Sequence, residues 1–272
     1  MIYEKFSLYE HRPHITLTAY VSDSSPDLRN FKKTAVLVLP GGGYNFTSDR
    51  EAEPVAKAFF GAGFNAFVLR YSVKEEAANY APLLDAAAAV KFIRDNADRY
   101  NIDRDKIVVC GFSAGGHLAA SLATLWKLDI VAQTLGCEGS YVKPNGMILC
   151  YPVLLANYKA HQPSMVNLTG KANPSEEERA KFSIEQHVDS DTCPAFIWHT
   201  ANDEPVPVEN ALCMCESLSA AKVPFELHVF PFGQHGLSLA TAEVAPRDEM
   251  IMPYAGRWFD FAVRWINEIL FV

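Results

Sequence analysis

Residues 106–125 read KIVVCGFSAGGHLAASLATL, and this stretch decides the fold. It begins with a short apolar run typical of a strand buried on both faces, and it ends with a run long enough for a helix. Between the two lies Gly111-Phe112-Ser113-Ala114-Gly115, a G-x-S-x-G pattern. A sharp strand-to-helix turn with this pattern lifts the serine hydroxyl above the sheet, because the glycines let backbone segments pass close together. The pattern therefore predicts that Ser113 is a nucleophile.

Short apolar strands and helical stretches alternate along most of the chain, which is typical of βαβ units. Strands buried on both faces are predicted at AVLVLP (35–40), FNAFVLRY (64–71), KIVVCGF (106–112), GMILCYP (146–152), PAFIWHT (194–200) and FELHVF (225–230). Helices are predicted at residues 51–61, 82–100, 114–125, 208–221 and 254–270. An alternating run at 14–21, followed by the turn-rich SDSSPD (22–27), predicts an antiparallel edge strand. We therefore predict an α/β fold in one domain, residues 1–272, with a mainly parallel central sheet flanked by helices.

Residues 154–191 depart from this alternation, because they are long for a connection and polar in their middle. Ser175 is followed three residues later by Glu178, the pattern of a capping box, which predicts a short helix at SEEERAKF (175–182). We predict that the segment is a cap-like insertion over the active site.

A second glycine-rich motif, Leu39-Pro40-Gly41-Gly42-Gly43-Tyr44, follows the strand AVLVL directly. Glycines at this position expose backbone N–H groups, which can stabilise the negative oxygen of a tetrahedral intermediate. The motif lacks the G-K-[ST] and G-x-G-x-x-G spacings of phosphate-binding loops. We therefore predict an oxyanion hole formed by the N–H groups of Gly42, Gly43 and Ala114, and we expect Tyr44 to line the substrate pocket.

The remaining catalytic groups are expected after the later strands. Asp203 follows the strand PAFIWHT, where an acid can reach an imidazole, and its close rival in sequence is Glu204. Of the histidines that come later, His228 lies inside a predicted strand, whereas His235 lies in the loop beyond it between Gly233 and Gly236. The order Ser113, Asp203, His235 is the one found in α/β-hydrolases. We predict that His235 is the base and that Asp203 orients it.

The composition of the chain limits the classes of partner that the protein can bind. The net charge is −8 and the basic residues are scattered among acids, so the chain lacks the clustered Lys and Arg that nucleic acid or an anionic membrane requires. Charges interrupt the first twenty residues, and no apolar run approaches the about 18 residues of a membrane span. The six cysteines show no metal-binding spacing and are expected to be reduced thiols. We expect a cytoplasmic protein whose partner is a small molecule.

The chain resembles the small α/β-hydrolase esterases allied to hormone-sensitive-lipase-like acetyl esterases and to bacterial acetyl-xylan esterase-type enzymes. The resemblance covers nearly the whole chain and rests on LPGGGY, AEPVAKAFFGAGFNAFVLRYSV, PLLDAAAAVKFIRDNADRYNID, GFSAGGHLAA, HTANDEPVPVENA and FGQHGL. It implies a cofactor-free, metal-free deacylase that often acts on a short-acyl ester of a sugar. Pro40 stands where many relatives carry a histidine before the three glycines, which weakens the link to lipid-type substrates.

These residues predict a two-step acyl transfer in which Ser113 attacks an ester carbonyl while His235 takes its proton. Because a histidine base must be neutral and the reference pKa of an imidazole is about 6.5, activity is expected to rise through about pH 6 to 7. Three alternatives remain open at this point: an arylformamidase, a small peptidase and a ligand-binding protein of the same fold without catalysis.

Overall fold

A computed structural model describes residues 1–23, 25, 27, 31–157 and 159–271 of the chain. The strands within these residues are β1 (Ile2–Ser7), β2 (Thr16–Val21), β3 (Lys33–Leu39), β4 (Asn65–Arg70), β5 (Ile102–Phe112), β6 (Gly146–Cys150), β7 (Ala195–Thr200) and β8 (Phe225–Phe230). The α-helices are α1 (Glu53–Gly61), α2 (Ala81–Asp95), α3 (Ala114–Leu125), α4 (Asp129–Leu135), α5 (Gln162–Thr169), α6 (Glu176–Ala180), α7 (Glu209–Ala220), α8 (Pro253–Gly256) and α9 (Trp258–Trp265). A π-helical turn, Ile266–Leu270, extends α9.

The described strands form one sheet in the order β1-β2-β4-β3-β5-β6-β7-β8. β2 pairs antiparallel with both β1 and β4, and every other neighbouring pair is parallel. This confirms the predicted fold class, an α/β fold with a mainly parallel sheet. β2 is antiparallel as predicted, but it is not the edge strand, because β1 pairs along its outer side. The carboxyl ends of the parallel strands meet at one edge, where ligands of such sheets bind.

Each face of the sheet is covered by a hydrophobic layer, as continuous apolar strands require. Along β3, for example, Leu37 belongs to the core beneath α2, α3 and α7, whereas Val36 and Val38 belong to the core beneath α1 and α9. Alternate side chains point to opposite faces of a strand, so every residue in the middle of β3 must be apolar. The uninterrupted run AVLVL follows from this double burial.

Several predicted elements differ from those observed. β8 was predicted to be buried on both faces, which is wrong, because β8 is an edge strand in which Phe225 is 39% and Val229 is 42% exposed. β1, the other edge, was not predicted, since its exposed and half-buried residues give no apolar run. The helices α4 and α5 were also missed, and the single helix predicted at 254–270 is divided into α8, α9 and the π-helical turn. The turn predicted at 22–27 falls partly outside the described residues.

The β5–α3 corner brings three backbone segments into close contact. A Cβ atom added to Gly111 would lie 2.0 Å from the carbonyl oxygen of Gly115, and one added to Gly115 would lie 2.0 Å from the carbonyl oxygen of Leu39. Non-bonded atoms cannot approach this closely, so the strand end, the helix start and the end of β3 can meet only where side chains are absent. The two outer glycines of the G-x-S-x-G pattern are therefore required by packing.

We expect Gly115→Ala to destabilise the protein by about 3 kcal/mol, because the added methyl group meets backbone that cannot move independently. The matched control is Gly61→Ala at the end of α1, where an added Cβ would have no atom within 4 Å. In an exposed helical position, alanine is favoured over glycine by up to about 1 kcal/mol. Urea unfolding of the two variants measures the difference, and equal midpoints would contradict the packing argument.

Candidate active site

Ser113 occupies the turn between β5 and α3 with a backbone conformation that is rare for a residue with a side chain. Its φ is 52° and its ψ is −116°. Such conformations cost on the order of 1–3 kcal/mol and persist only where the surroundings enforce them. Here the N–H of Ser113 donates to the carbonyl of Cys150 (2.9 Å), and its own carbonyl accepts from the N–H groups of His117 and Val153 (both 3.1 Å). These bonds fix the direction in which the hydroxyl points.

The structure brings Ser113, His235 and Asp203 together in one hydrogen-bonded chain. The distance from Ser113 Oγ to His235 Nε2 is 2.8 Å, and His235 Nδ1 lies 2.7 Å from Asp203 Oδ2. Because an ionised carboxylate can only accept, His235 donates its Nδ1 proton to Asp203, and Nε2 is left to accept the serine proton. The three residues therefore have the geometry of a nucleophile, a base and an orienting acid. The rival Glu204 is exposed.

The loops that carry Asp203 and His235 are connected to each other at Gly233. The N–H of Gly233 donates to Asn202 Oδ1 (2.8 Å), and its carbonyl accepts from the hydroxyl of Thr200 (2.9 Å). Thr200 ends β7, and Gly233 comes just after β8. Parallel pairing of these two strands thus sets the distance between the acid and the base.

Asp203 is 5% exposed, and its surroundings favour the charged form. Burial by itself raises the pKa of Asp203, but histidine and backbone N–H groups outweigh burial and hold the pKa at about 2. His199 Nε2 is 3.5 Å from Asp203 Oδ2 and only 2.8 Å from the carbonyl oxygen of Val206, so its proton goes to Val206. The contacts at hydrogen-bond distance are those from His235 and from the N–H of Val206 to Oδ1 (3.0 Å). Asp203 therefore remains an anion facing His235.

The glycine loop after β3 lies beside Ser113. The N–H of Gly41 is occupied, because it donates to Glu51 Oε2 (2.9 Å). The N–H groups of Gly42, Gly43 and Ala114 donate to no other group within the part of the chain that the structure describes. Gly42 and Gly43 also line the same cavity as Ser113. The three predicted oxyanion donors are thus free, and Ala114 is the first residue of α3, where the helix dipole favours negative charge.

Tyr44 does not line the cavity, in contrast to the prediction from sequence. Its side chain is 1% exposed, and its hydroxyl is 2.7 Å from His117 Nδ1 in the core beneath the loop. His117 Nε2 donates to the carbonyl of Phe182 (3.0 Å), so Nδ1 accepts from Tyr44. Burial lowers the pKa of His117 to about 4, which keeps this imidazole neutral. Tyr44 and His117 therefore connect the glycine loop to α3 and to the inserted segment from below.

A buried carboxylate that the sequence did not reveal connects the glycine loop to the histidine loop. Glu51 is 4% exposed; its Oε2 accepts from Gly41, and its Oε1 accepts from the hydroxyl of Tyr151 (2.6 Å). The same hydroxyl accepts from the N–H of Ser238 (2.9 Å), and the Tyr151 ring packs edge-on against His235 at 5.1 Å. These residues come from segments far apart in sequence and match no motif, so no pattern could have identified them.

Arg50 holds the histidine loop from the other side. Its guanidinium donates to the carbonyls of Gly236 (2.5 Å) and Val244, and its own carbonyl accepts from the hydroxyl of Ser238 (2.6 Å). The charged head of Arg50 is therefore engaged by backbone acceptors.

Ser113 and His235 open into a cavity of about 400 Å³. Its lining also includes residues of the glycine loop and two residues of the inserted segment, His161 and Pro163. The segment is fixed there by Asn167, whose side-chain amide donates to the carbonyl of Gly43 (3.0 Å). Further along, Ser175 and Glu178 form both hydrogen bonds of the predicted capping box at the start of α6.

A larger cavity of about 720 Å³ includes Asn145 and Pro194, before β6 and β7, at the opposite edge of the sheet from Ser113.

Among the described residues, no group of three or more His, Cys, Asp or Glu side chains is arranged to hold a metal ion. None of the helices in the described ranges combines the length and the apolar character needed to cross a bilayer.

The sheet order, the turn at Ser113 and the position of His235 beyond the last strand define the class of protein, which is an α/β-hydrolase. A family model described as BD-FAE matches residues 25–218. The chain therefore belongs to the BD-FAE family, within the hormone-sensitive-lipase-like α/β-hydrolase superfamily.

Three relatives illustrate the similarity. Endo-1,4-beta-xylanase B of Butyrivibrio fibrisolvens is 42% identical over 215 residues, which are 78% of this chain and 34% of that protein. An acetylxylan esterase of Xylanibacter ruminicola is 28% identical over 212 residues, 76% of this chain and 42% of that protein. The crystal structure of an acetyl ester-xyloside bifunctional hydrolase from Caldicellulosiruptor lactoaceticus is 35% identical with a TM-score of 0.84, and the match covers 99% of this chain and 97% of that one. The chain thus spans between a third and a half of the length of the two curated relatives.

Asp203→Asn is expected to lower kcat on p-nitrophenyl acetate by about 10⁴-fold, because an amide can donate to Nδ1 and so favours the wrong imidazole tautomer. The control is Asp191→Asn, an exposed carboxylate before β7, which should leave kcat unchanged. Steady-state rates measure both, and a loss below about tenfold would argue against the orienting role of Asp203.

Tyr151→Phe removes the hydroxyl between Glu51 and Ser238 while keeping the ring against His235. We expect kcat to fall by about tenfold with little change in KM, because the glycine and histidine loops lose their common bond. Tyr141→Phe, whose hydroxyl donates to Asp95 at the surface, is the control. Rates are compared with urea unfolding for both variants; a Tyr151→Phe protein that is less stable but has an unchanged kcat would show that the bond only stabilises the fold.

Proposed function

We propose that this protein is a serine esterase that removes short acyl groups, acetyl in particular, from carbohydrate esters. The observation that carries the proposal is the hydrogen-bonded chain from Asp203 through His235 to Ser113, beside the free N–H groups of Gly42, Gly43 and Ala114.

In the first step, Ser113 Oγ attacks the ester carbonyl carbon while its proton moves to His235 Nε2. The carbonyl oxygen becomes negative and accepts from the free N–H groups of the glycine loop and of Ala114. The imidazolium of His235 is stabilised by the anion of Asp203. His235 then gives the proton to the leaving alcohol oxygen as the ester C–O bond breaks, which leaves an acyl-enzyme on Ser113.

In the second step, the same groups act on water. His235 Nε2 accepts a proton from a water molecule, whose oxygen attacks the acyl carbon. The second tetrahedral intermediate uses the same N–H donors, and its collapse returns the proton to Ser113 Oγ and releases the carboxylic acid. The cycle consumes one water molecule for each ester cleaved.

The relatives support carbohydrate esters as the substrate class. Their names include an acetylxylan esterase and an acetyl ester-xyloside bifunctional hydrolase. A cavity of about 400 Å³ lies near the lower end of the sizes usual for small-molecule sites, which suits a short acyl group better than a long chain. The inserted segment, residues 154–191, is proposed as the cap that sets substrate choice, because His161 and Pro163 contribute to the cavity lining.

The test compares wild type, Ser113→Ala and the exposed control Ser140→Ala on p-nitrophenyl acetate, butyrate and octanoate. Acetate release from an acetylated xylo-oligosaccharide and hydrolysis of N-formylaniline are measured with the same proteins. We expect the acetate ester to be cleaved best and Ser113→Ala to lose at least about 10⁴-fold, because the nucleophile is removed. Ser140→Ala should match the wild type.

Each part of the proposal would be contradicted by a different outcome. An unchanged rate in Ser113→Ala would exclude the serine mechanism. A faster rate on octanoate would exclude the short-acyl preference, and a preference for the formamide would assign the same site to amides.

A further inference from the structure

Phe46 is a large apolar side chain that is held beside the oxyanion loop although it is 55% exposed. Its N–H donates to the carbonyl of Gly42 (3.3 Å), and its own carbonyl oxygen would lie 2.1 Å from a Cβ atom on Gly42. The chain therefore turns back tightly over Gly42. This turn places the Phe46 ring in the lining of the cavity that contains Ser113.

His161, from the inserted segment, lies against the next glycine of the same loop, Gly43. Its Cε1 atom would be 3.3 Å from a Cβ atom on Gly43, so the absence of a side chain there makes room for the ring. Nδ1 is 2.8 Å from Oγ of Ser164, which is fully buried, and this contact fixes the ring plane. Nε2 has no hydrogen-bond partner among the described residues, and His161 lines the cavity.

The surroundings of His161 favour its neutral form. Burial lowers the pKa of His161, and the nearby positive form of His235 lowers it further, while Asp203 acts in the opposite direction. A neutral imidazole can either donate or accept a hydrogen bond at Nε2, as a hydroxyl group requires.

The charged side chains of the cavity are already engaged. Arg50 donates to backbone carbonyls, and the Glu51 carboxylate accepts from Gly41 and Tyr151. The polar side chains that line the cavity without a partner in the described part of the chain are Asn45, Ser48 and His161 Nε2. Asn45 and Ser48 carry no charge, and the lowered pKa of His161 favours its neutral form. A ligand that matches them is uncharged and carries several hydroxyl groups.

We propose that Phe46, Asn45 and His161 form a subsite for the neutral sugar ring on the alcohol side of the ester. The inference rests on the proposed function and names the part of the protein that would recognise the sugar. The flat Phe46 ring offers an apolar surface to the C–H face of a pyranose, while Asn45 and His161 offer hydrogen bonds to its hydroxyl groups.

The small size of the acetyl group and the exposure of Asn45 and Phe46 indicate that the subsite lies on the alcohol side of the ester. An acetyl group has one methyl beyond its carbonyl, so it remains next to Ser113. The alcohol is the part of the substrate that continues outward from the cavity, towards the exposed side chains of Asn45 and Phe46.

The experiment compares kcat/KM on an acetylated xylo-oligosaccharide with kcat/KM on p-nitrophenyl acetate. Both substrates give the same acetyl-enzyme and differ only in the alcohol. The test variants are Phe46→Ala and His161→Ala, and the conservative variants are Phe46→Tyr, which keeps the ring, and His161→Gln, which keeps a hydrogen-bonding group. The matched control is Phe31→Ala, because Phe31 is also 55% exposed and is not part of the cavity lining.

For each alanine variant, we expect the ratio of the two kcat/KM values to fall by about tenfold, mainly through a higher KM for the oligosaccharide. The conservative variants should restore most of the ratio, and Phe31→Ala should keep the wild-type ratio. A partly unfolded variant does not disturb the result, because both rates scale with the same amount of active protein.

Equal losses on the two substrates would overturn the subsite, since they would show that Phe46 and His161 act on the acyl half or on folding. A wild type that cleaves p-nitrophenyl acetate but releases no acetate from the oligosaccharide would overturn the carbohydrate part of the proposed function, and the subsite with it. Active wild type with unchanged ratios would overturn the subsite alone.

Discussion

The arrangement of the active site depends on one buried carboxylate. Glu51 is enclosed where an unpaired charge would be very costly, so each of its oxygens must keep a donor. One donor is the N–H of Gly41 in the oxyanion loop, and the other is the hydroxyl of Tyr151, which also receives the N–H of Ser238 after the histidine loop. The requirement to satisfy this charge therefore fixes the distance between the groups that would bind the oxyanion and the base. Two loops separated by almost two hundred residues of sequence behave as one unit.

The strained turn at Ser113 has a similar origin. Its left-handed φ is tolerated because the strand end, the start of α3 and the end of β3 approach so closely that Gly111 and Gly115 leave the chain no alternative path. Packing of the hydrophobic layers on both faces of the sheet therefore holds this corner in place. The corner in turn fixes the direction of the Ser113 hydroxyl. Within the described ranges, the same corner leaves the N–H of Ala114 without a hydrogen-bond acceptor.

The parts of this arrangement that were predictable from sequence are those set by local rules. Gly111 and Gly115 follow from the strand-to-helix turn, and the capping box at Ser175 is a short-range pattern. Asp203 and His235 were predicted to lie near Ser113 because strand order determines which loops meet, and the structure places them there. Tyr44 was misplaced because sequence does not show which way a loop side chain turns, and here the hydroxyl finds His117 in the core. Glu51 could not be found, since only the fold brings its two donors together.

The contacts around the site also indicate where substrate choice can vary. Ser113, His235 and Asp203 share one hydrogen-bonded chain, and Glu51 is bonded to the glycine loop and to Tyr151, whose ring contacts His235, so a change in one of these groups disturbs the others. The inserted segment reaches the loop chiefly through the amide of Asn167 and the ring of His161. Because Ser113, Asp203 and His235 lie outside this segment, its sequence can vary without replacing any of them. Because His161 lies against Gly43 and Phe46 against Gly42, the proposed subsite allows the recognition of the alcohol to change while Ser113 and His235 stay in place.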